Sequence, residues 1–204
     1  MKKLIEVPYI DQTKNWPTGC ESVSTVMLLN YLGLDISVDG FIESCLIKEP
    51  MINKDGKLFG PNPRLKFAGD PKDPDSFGAY APVIVDALDV AFSKNEKLSD
   101  KIAVDLTDAT MKTLITEFID NDKPVIFWAS IDLKETIKGP EWTVSDTGEK
   151  FEWISNEHCM LFVGYDDDKY YFNDPWHNHG VVGYDKELVE KRHAEQMSMA
   201  VSYL

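Results

Sequence analysis

Apolar residues at helical spacing dominate the first part of the chain. Residues 20–32 are apolar on nearly every side, which predicts a helix in the middle of a domain rather than on its surface. Thr18 is a suitable cap before this helix, and Gly33 is a suitable stop after it. Three further helices are predicted, beginning after Ser37, at Pro82 and near Met111.

Strand-like segments replace the helical spacing in the second part of the chain. Strands are predicted at residues 142–144, 151–154, 158–165 and 170–173, after two earlier ones at 102–106 and 125–128. A helix from Asp185 to Lys191 and a strand at 197–203 follow them. Helices first and antiparallel strands later are typical of an α+β domain.

Residues 53–80 show neither pattern, because glycines and prolines are interleaved along the whole segment. This composition predicts a loop. Loops of such length are often functional, so we expect a cleft wall here, with a solvated excursion as the alternative.

Length, charge and apolar content limit the number of domains and the classes of partner. A chain of 204 residues that is 43% hydrophobic predicts one domain over residues 1–204. A net charge of -14 opposes binding to nucleic acid or to an anionic membrane surface, and it would favour basic substrates. No apolar run is long enough to span a bilayer, so no membrane segment is expected.

Three cysteines at unrelated spacings do not form a disulfide framework, which is typical of a reducing compartment. The first residues lack the apolar stretch of a signal peptide. The expected location is therefore cytoplasmic, or extracellular if a leader was removed.

Cys20 is the candidate nucleophile. It follows Gly19 at the start of the buried helix, where free backbone N–H groups and the helix dipole favour a thiolate and should lower the pKa of the thiol. Cys45 and Cys159 lie within apolar patterns and are interpreted as small buried residues.

His158 and Asp174 are the candidate partners of this thiol. Asp166, Asp167 and Asp168 form a turn sequence, and with these three residues as the loop, Asp174 faces Met160 across a hairpin. His158 then lies diagonally across from Asp174 on the same face, whereas a two-residue loop would place them on opposite faces. Asp174 would orient the imidazole as the third member of a catalytic triad, or it is a turn residue before Pro175.

Gln12 lies in a polar loop before Cys20, where it would face solvent or donate to a developing oxyanion. Other chemistries have less support. No zinc-binding motif appears, and His177 and His179 are interpreted as exposed histidines near a turn rather than metal ligands. We therefore expect no cofactor and no metal.

Four short motifs surround the candidate residues: Val-Pro-Tyr-Ile-Asp-Gln, Gly-Cys-Glu-Ser-Val-Ser, Glu-His-Cys-Met-Leu-Phe-Val-Gly-Tyr and Asn-Asp-Pro-Trp. In this order they resemble the motifs of bacteriocin-processing, double-glycine leader peptidase-like cysteine peptidases. The resemblance implies a papain-like fold with Cys20 as nucleophile, His158 as base, Asp174 as orienting residue and Gln12 in the oxyanion hole. Further segments resemble a soluble branch of the family, so the similarity runs through most of the chain.

The resemblance predicts a thiol hydrolase that acts on a peptide or amide substrate. The exporters of that family carry membrane spans and a phosphate-binding loop that this sequence lacks, so cleavage after a double glycine is not implied. Two alternatives remain at this stage. One is a papain-fold binding or accessory module without peptide cleavage, and the other is an acyl transferase. The sequence does not determine the substrate or the oligomeric state.

Overall fold

The structure is a computed structural model that describes residues 3–204. Met1 and Lys2, which belong to the segment searched for a signal peptide, lie outside the described residues. The α-helices are α1 (Cys20–Tyr31), α2 (Val38–Ser44), α3 (Ala81–Ser93), α4 (Met111–Thr113) and α5 (Lys186–Glu195). A π-helical turn (Leu114–Phe118) and a 3₁₀ turn (Ile119–Asn121) continue α4.

The strands are short before the middle of the chain and longer after it. They are β1 (Lys3–Leu4), β2 (Lys48–Glu49), β3 (Ile52–Lys54), β4 (Lys57–Gly60), β5 (Phe67–Ala68), β6 (Ala103–Asp105), β7 (Val125–Ser130), β8 (Lys138–Val144), β9 (Lys150–Ile154), β10 (Glu157–Tyr165), β11 (Lys169–Asp174), β12 (Gly180–Asp185) and β13 (Ala200–Tyr203). The α+β class is confirmed, and each predicted helix and strand is present, although four short strands, β2 to β5, precede α3.

A seven-stranded antiparallel sheet forms the centre of the part of the chain that the structure describes. Its strands follow the order β12-β11-β10-β7-β13-β6, and β1 pairs with the far end of β10. Helix α1 packs on β10 and β7, and its residues 20–29 are all buried. The helix therefore lies inside the domain, as predicted, although four of its buried residues are polar: Glu21, Ser22, Ser24 and Thr25.

Both faces of the sheet are covered, and β7 contacts both layers because its successive side chains point to opposite faces. The Phe127 ring stacks on His193 of α5 at a centroid distance of 3.8 Å. The next residue, Trp128, donates its indole N–H to the carbonyl of Ala79, which lies just before α3. Both aromatic side chains are fully buried.

Residues 53–80 are not a continuous loop, so that expectation is corrected. β4 pairs with β3 and with β8, and together with β9 they make a four-stranded mixed sheet. An aromatic cluster supports this sheet, in which Tyr80 stacks on Trp153 at 5.5 Å and Trp142 contacts Phe151 at 4.7 Å. Partners distant in sequence supply the packing that stabilises these short strands.

The β10–β11 hairpin differs from the predicted one in its turn but agrees with it near the site. Tyr165 pairs with Tyr170, so the turn contains four residues rather than three. A β-bulge at Val163 then shifts the register by one residue, and Leu161 pairs with Asn173. Asp174 therefore comes opposite Met160, as predicted, because the bulge offsets the extra turn residue.

One local expectation needs correction, and one strand was missed. Thr18 does not cap α1, because Gly19 occupies the N-cap position and the Thr18 hydroxyl donates to the carbonyls of Asp70 and Asp73 instead. β12 was not predicted. Within residues 3–204, no helix has the length and apolar character needed to cross a membrane.

Candidate active site

Cys20 is the first residue of α1, and the chain before it is tightly constrained. The backbone N–H of Gly19 donates to the carbonyl of Trp16. A Cβ atom at position 19 would lie 2.8 Å from Trp16 Cβ and 3.2 Å from Pro71 Cβ, so this close approach requires glycine. This tight turn places Cys20 at the N-terminus of α1.

The thiol of Cys20 lies in a buried and acidic environment. Its Sγ donates to Glu21 Oε2 at 3.4 Å, and the side chain is almost completely shielded from solvent. Burial, followed by the charges of Glu21 and Glu157, raises the pKa of the Cys20 thiol. This direction is opposite to the expected lowering of the pKa, because burial and the neighbouring carboxylates favour the protonated thiol.

His158 and Asp174 form a direct buried pair. His158 Nε2 lies 2.7 Å from Asp174 Oδ1, and both side chains are about as buried as any in the core. The register created by the bulge at Val163 places them on one face of the hairpin. With Nε2 engaged by the carboxylate, Nδ1 is the ring nitrogen that can serve the thiol.

Asp174 has more partners than the sequence suggested. Its Oδ2 lies 3.0 Å from His179 Nδ1 and accepts the Tyr184 hydroxyl at 2.7 Å, while Oδ1 also accepts the Trp176 N–H at 3.0 Å. These donors, His158 foremost among them, hold the pKa of Asp174 well below its usual range despite its burial. His179 is exposed near a turn, as expected, and its ring also contacts this carboxylate, which the sequence did not reveal.

Gln12 reaches the site through its backbone. Its N–H donates to the carbonyl of Pro175, the residue after Asp174, at 3.0 Å. The side chain is buried, and Nε2 donates to the carbonyl of Pro17 at 3.3 Å. A carbonyl can only accept, so this contact orients the amide and leaves its second N–H hydrogen available.

Cys20, His158 and Gln12 line one cavity of about 210 Å³. Its walls also include Trp153 and Trp176, together with Pro74, Ser76, Phe77 and Glu157. The expectation that the glycine- and proline-rich segment contributes a cleft wall is thus confirmed. Of the four predicted site residues, three line the cavity, and Asp174 stands behind His158.

Sequence reasoning missed the carboxyl pair formed by Glu21 and Glu157. Both side chains are buried, and burial raises the pKa of each. The available signal was that one glutamate follows Cys20 and the other precedes His158.

An α+β papain-like fold with a cysteine at a helix N-terminus and a buried histidine–aspartate pair characterises one class of protein, the papain-like cysteine peptidases. The comparison with protein families agrees with this class. The model of the Peptidase_C39 like family matches residues 4–201, so the chain belongs to that family.

Two relatives indicate how far the similarity extends. A crystal structure from Bacillus anthracis, provisionally assigned as a C39-like peptidase, superposes with a TM-score of 0.83 at 25% identity and covers 100% of this chain and 98% of its own. The uncharacterized protein YvpB of Bacillus subtilis (strain 168) is 27% identical over 164 residues, or 78% of this chain. That match spans only 58% of the length of YvpB.

Proposed function

We propose that the protein is a cysteine-nucleophile hydrolase that cleaves a peptide or amide bond at Cys20. The observation that carries the proposal is the 2.7 Å contact between His158 and Asp174 beside the cavity that Cys20 lines. A buried histidine held by a carboxylate is suited to accept a proton from a thiol and to return it to a leaving amine.

The steps follow from these groups. The Cys20 side chain turns from Glu21 towards His158, whose imidazole accepts the thiol proton, and the thiolate attacks the substrate carbonyl. Gln12 Nε2 donates to the developing oxyanion. The amine leaves with the proton from His158, and water then hydrolyses the thioester to release the acid and restore the thiol.

One observation favours the binding-module alternative. The thiol donates to Glu21 and has a raised pKa, so it is protonated at rest near neutral pH. A module that only binds peptides would retain the cavity without needing a thiolate. An acyl transferase would use the same acyl-enzyme and pass it to an amine.

The test is a peptide-library digest combined with an acyl probe, applied to wild type and three variants. Cys20→Ala should abolish both labelling and cleavage. In Gln12→Ala, iodoacetamide should alkylate Cys20 at nearly the wild-type rate, but turnover should fall on the order of a hundredfold. The reason is that the Gln12 amide stabilises only the charge that develops on the substrate oxygen. His158→Ala should reduce both rates, since the imidazole forms the thiolate in both reactions.

Two results would count against the proposal. Full turnover by Gln12→Ala on a verified substrate would remove Gln12 from the oxyanion hole. If wild type binds library peptides but neither cleaves them nor forms an acyl-enzyme, the binding module is the better description. Transfer of the acyl group to an added amine, in preference to water, would identify a transferase.

A further inference from the structure

Two carboxyl groups that the proposed mechanism does not use stand beside the nucleophile. Glu21 is the second residue of α1, and Glu157 is the first residue of β10. The exposed fraction is 0% for Glu21 and 7% for Glu157. Cys20 Sγ and one oxygen from each carboxylate all lie within 4.8 Å of one another.

This cluster is incompletely bonded. Glu21 Oε1 accepts the Ala79 N–H at 2.6 Å, and Oε2 accepts the Cys20 thiol. Glu157 Oε1, in contrast, is shielded from solvent and has no hydrogen-bond partner within residues 3–204. Neither Glu21 nor Glu157 belongs to an ion pair in the part of the chain that the structure describes. A buried carboxyl that lacks partners is costly unless a cation or a proton compensates it.

The donor set matches the preference of Zn²⁺. Zinc binds thiolate sulfur at about 2.3 Å and carboxylate oxygen at about 2.0–2.2 Å, in tetrahedral geometry. From those bond lengths, ligand atoms of one zinc ion lie roughly 3.4–3.6 Å apart. Side-chain rotations that move each atom by about 1 Å would therefore close the cluster around an ion. The fourth position would be open to water from the cavity, which Cys20 and Glu157 both line.

We propose that Cys20, Glu21 and Glu157 form a zinc site that reversibly blocks the nucleophile. The thiol and any protonated carboxyl release their protons to solvent, and the ion takes one sulfur and two oxygen ligands. No redox step is involved. Binding needs no catalytic activity, and only its inhibitory consequence rests on the proposed function.

The test begins with protein freed of metal by chelation and dialysis. Titration with Co²⁺ should produce a near-ultraviolet sulfur-to-cobalt charge-transfer band, and calorimetry with Zn²⁺ should give one ion per chain. Cys20→Ala should lose the band. Glu157→Gln and Glu21→Gln should each weaken zinc binding at least tenfold, because an amide is a poorer ligand than a carboxylate.

Matched control variants distinguish this site from zinc binding by other carboxylates and thiols of the chain. Glu152→Gln, on the exposed face of β9, and Cys45→Ser should bind Zn²⁺ with the affinity of the wild type. Circular dichroism checks that Glu21→Gln and Glu157→Gln are folded. If one of them fails to fold, the other is sufficient for the test. Equal affinity in wild type and Glu157→Gln, or a band that persists in Cys20→Ala, would overturn the proposal.

A second readout keeps this inference separate from the hydrolase function. Zn²⁺ should slow alkylation of Cys20 by iodoacetamide at least tenfold at saturation, and a chelator should restore the rate. If zinc protects Cys20 but no substrate is turned over, the site stands and the hydrolase function fails. If a substrate is turned over but zinc neither binds nor protects, the zinc site fails and the hydrolase function stands.

Discussion

Asp174 shows how much one residue depends on its surroundings. Its carboxylate accepts hydrogen bonds from Tyr184 and from the Trp176 N–H, and it contacts ring nitrogens of His158 and His179. Four donors around one buried anion fix both its charge and its position. The orientation of the His158 ring is therefore determined before any substrate arrives.

Replacing Asp174 by Asn should remove this charge while keeping the shape of the side chain. We expect turnover to fall by about 10²–10⁴-fold, because the imidazolium loses its partner and the ring its preferred tautomer. A carboxylate with a lowered pKa stabilises the folded state above its unfolded value of 3.8, and this contribution is lost as the pH falls further. The stability difference between wild type and variant should therefore shrink on acidification.

Denaturant unfolding at a series of pH values measures this difference, alongside steady-state kinetics. Tyr171→Phe is a suitable control, since its hydroxyl also donates to an aspartate, Asp166, but in the turn at the far end of β11. A stability difference between wild type and Asp174→Asn that stays constant from neutral pH to about pH 3 would contradict this account of the Asp174 carboxylate.

Glu157 should influence the nucleophile even without metal. Its charge raises the pKa of Cys20, so Glu157→Gln should lower the thiol pKa and shift the alkylation profile to lower pH. The raised pKa of Glu157 also makes the folded state less stable as pH rises above the unfolded value of 4.5. The variant should thus gain stability over wild type as the pH rises above 4.5.

Rates of iodoacetamide alkylation and thermal unfolding at these pH values test both effects. Glu152→Gln removes an equal charge from the exposed face of β9 and should leave both measurements near wild type. An unshifted alkylation profile in Glu157→Gln would show that its carboxyl is uncharged or too distant to affect Cys20.

At the scale of elements, the β10–β11 hairpin determines the site. The turn alone would give a register one residue away from the observed one, and the bulge at Val163 restores it. The His158–Asp174 contact therefore depends on register, which period-two side-chain alternation makes sensitive to a shift of a single residue.

Glycine insertions should separate the two ends of this hairpin. One glycine between Asp167 and Asp168 lengthens an exposed turn, which costs less than about 0.6 kcal/mol in loop closure, so turnover should be retained. One glycine between Phe172 and Asn173 moves Asp174 out of register and should reduce turnover at least as much as Asp174→Asn. Kinetics on both folded variants measure this, and equal turnover in the two would refute the role of register.

The elements that were predicted best are those stabilised by residues close to them in the sequence. Ser37 and Asp185 cap α2 and α5 through their own side chains, at Gly40 N and Leu188 N. Short strands such as β4 depend on distant partners, here β8, and a composition rich in glycine and proline concealed them. Strand β12 pairs with β11, its neighbour in the chain, and was missed because Gly180 and Gly183 interrupt its apolar pattern.

The same distinction applies to the site. Cys20 and His158 were identifiable because each stands at a recognisable end of an element. Glu157 was not, because its importance comes from burial, and no local pattern distinguishes one buried glutamate in so acidic a chain. Likewise, Tyr184 contacts Asp174 only because β12 pairs with β11.

For the molecule as a whole, the charge of -14 is the dominant electrostatic feature. A negative protein accelerates encounter with cationic ligands, and salt screens this effect over a Debye length of about 10 Å at 0.1 M. For a substrate flanked by lysines, kcat/KM should fall several-fold between low and high salt.

The control substrate has the same sequence with glutamines in place of the lysines. Its kcat/KM should change little over the same range of sodium chloride concentrations. Equal salt dependence of the two substrates would mean that net charge does not guide substrate binding, and that salt acts on the protein itself.

The cavity has indole rings from two separate parts of the fold, Trp153 at the end of the four-stranded sheet and Trp176 after β11. Indole emission responds to the polarity and hydration around the ring, so the protein carries an intrinsic optical reporter at its own binding site. Occupancy can be followed by the emission of the unlabelled protein, including in Cys20→Ala, where a ligand would bind without reacting. Replacing either tryptophan by phenylalanine would then show from which side of the cavity the signal comes.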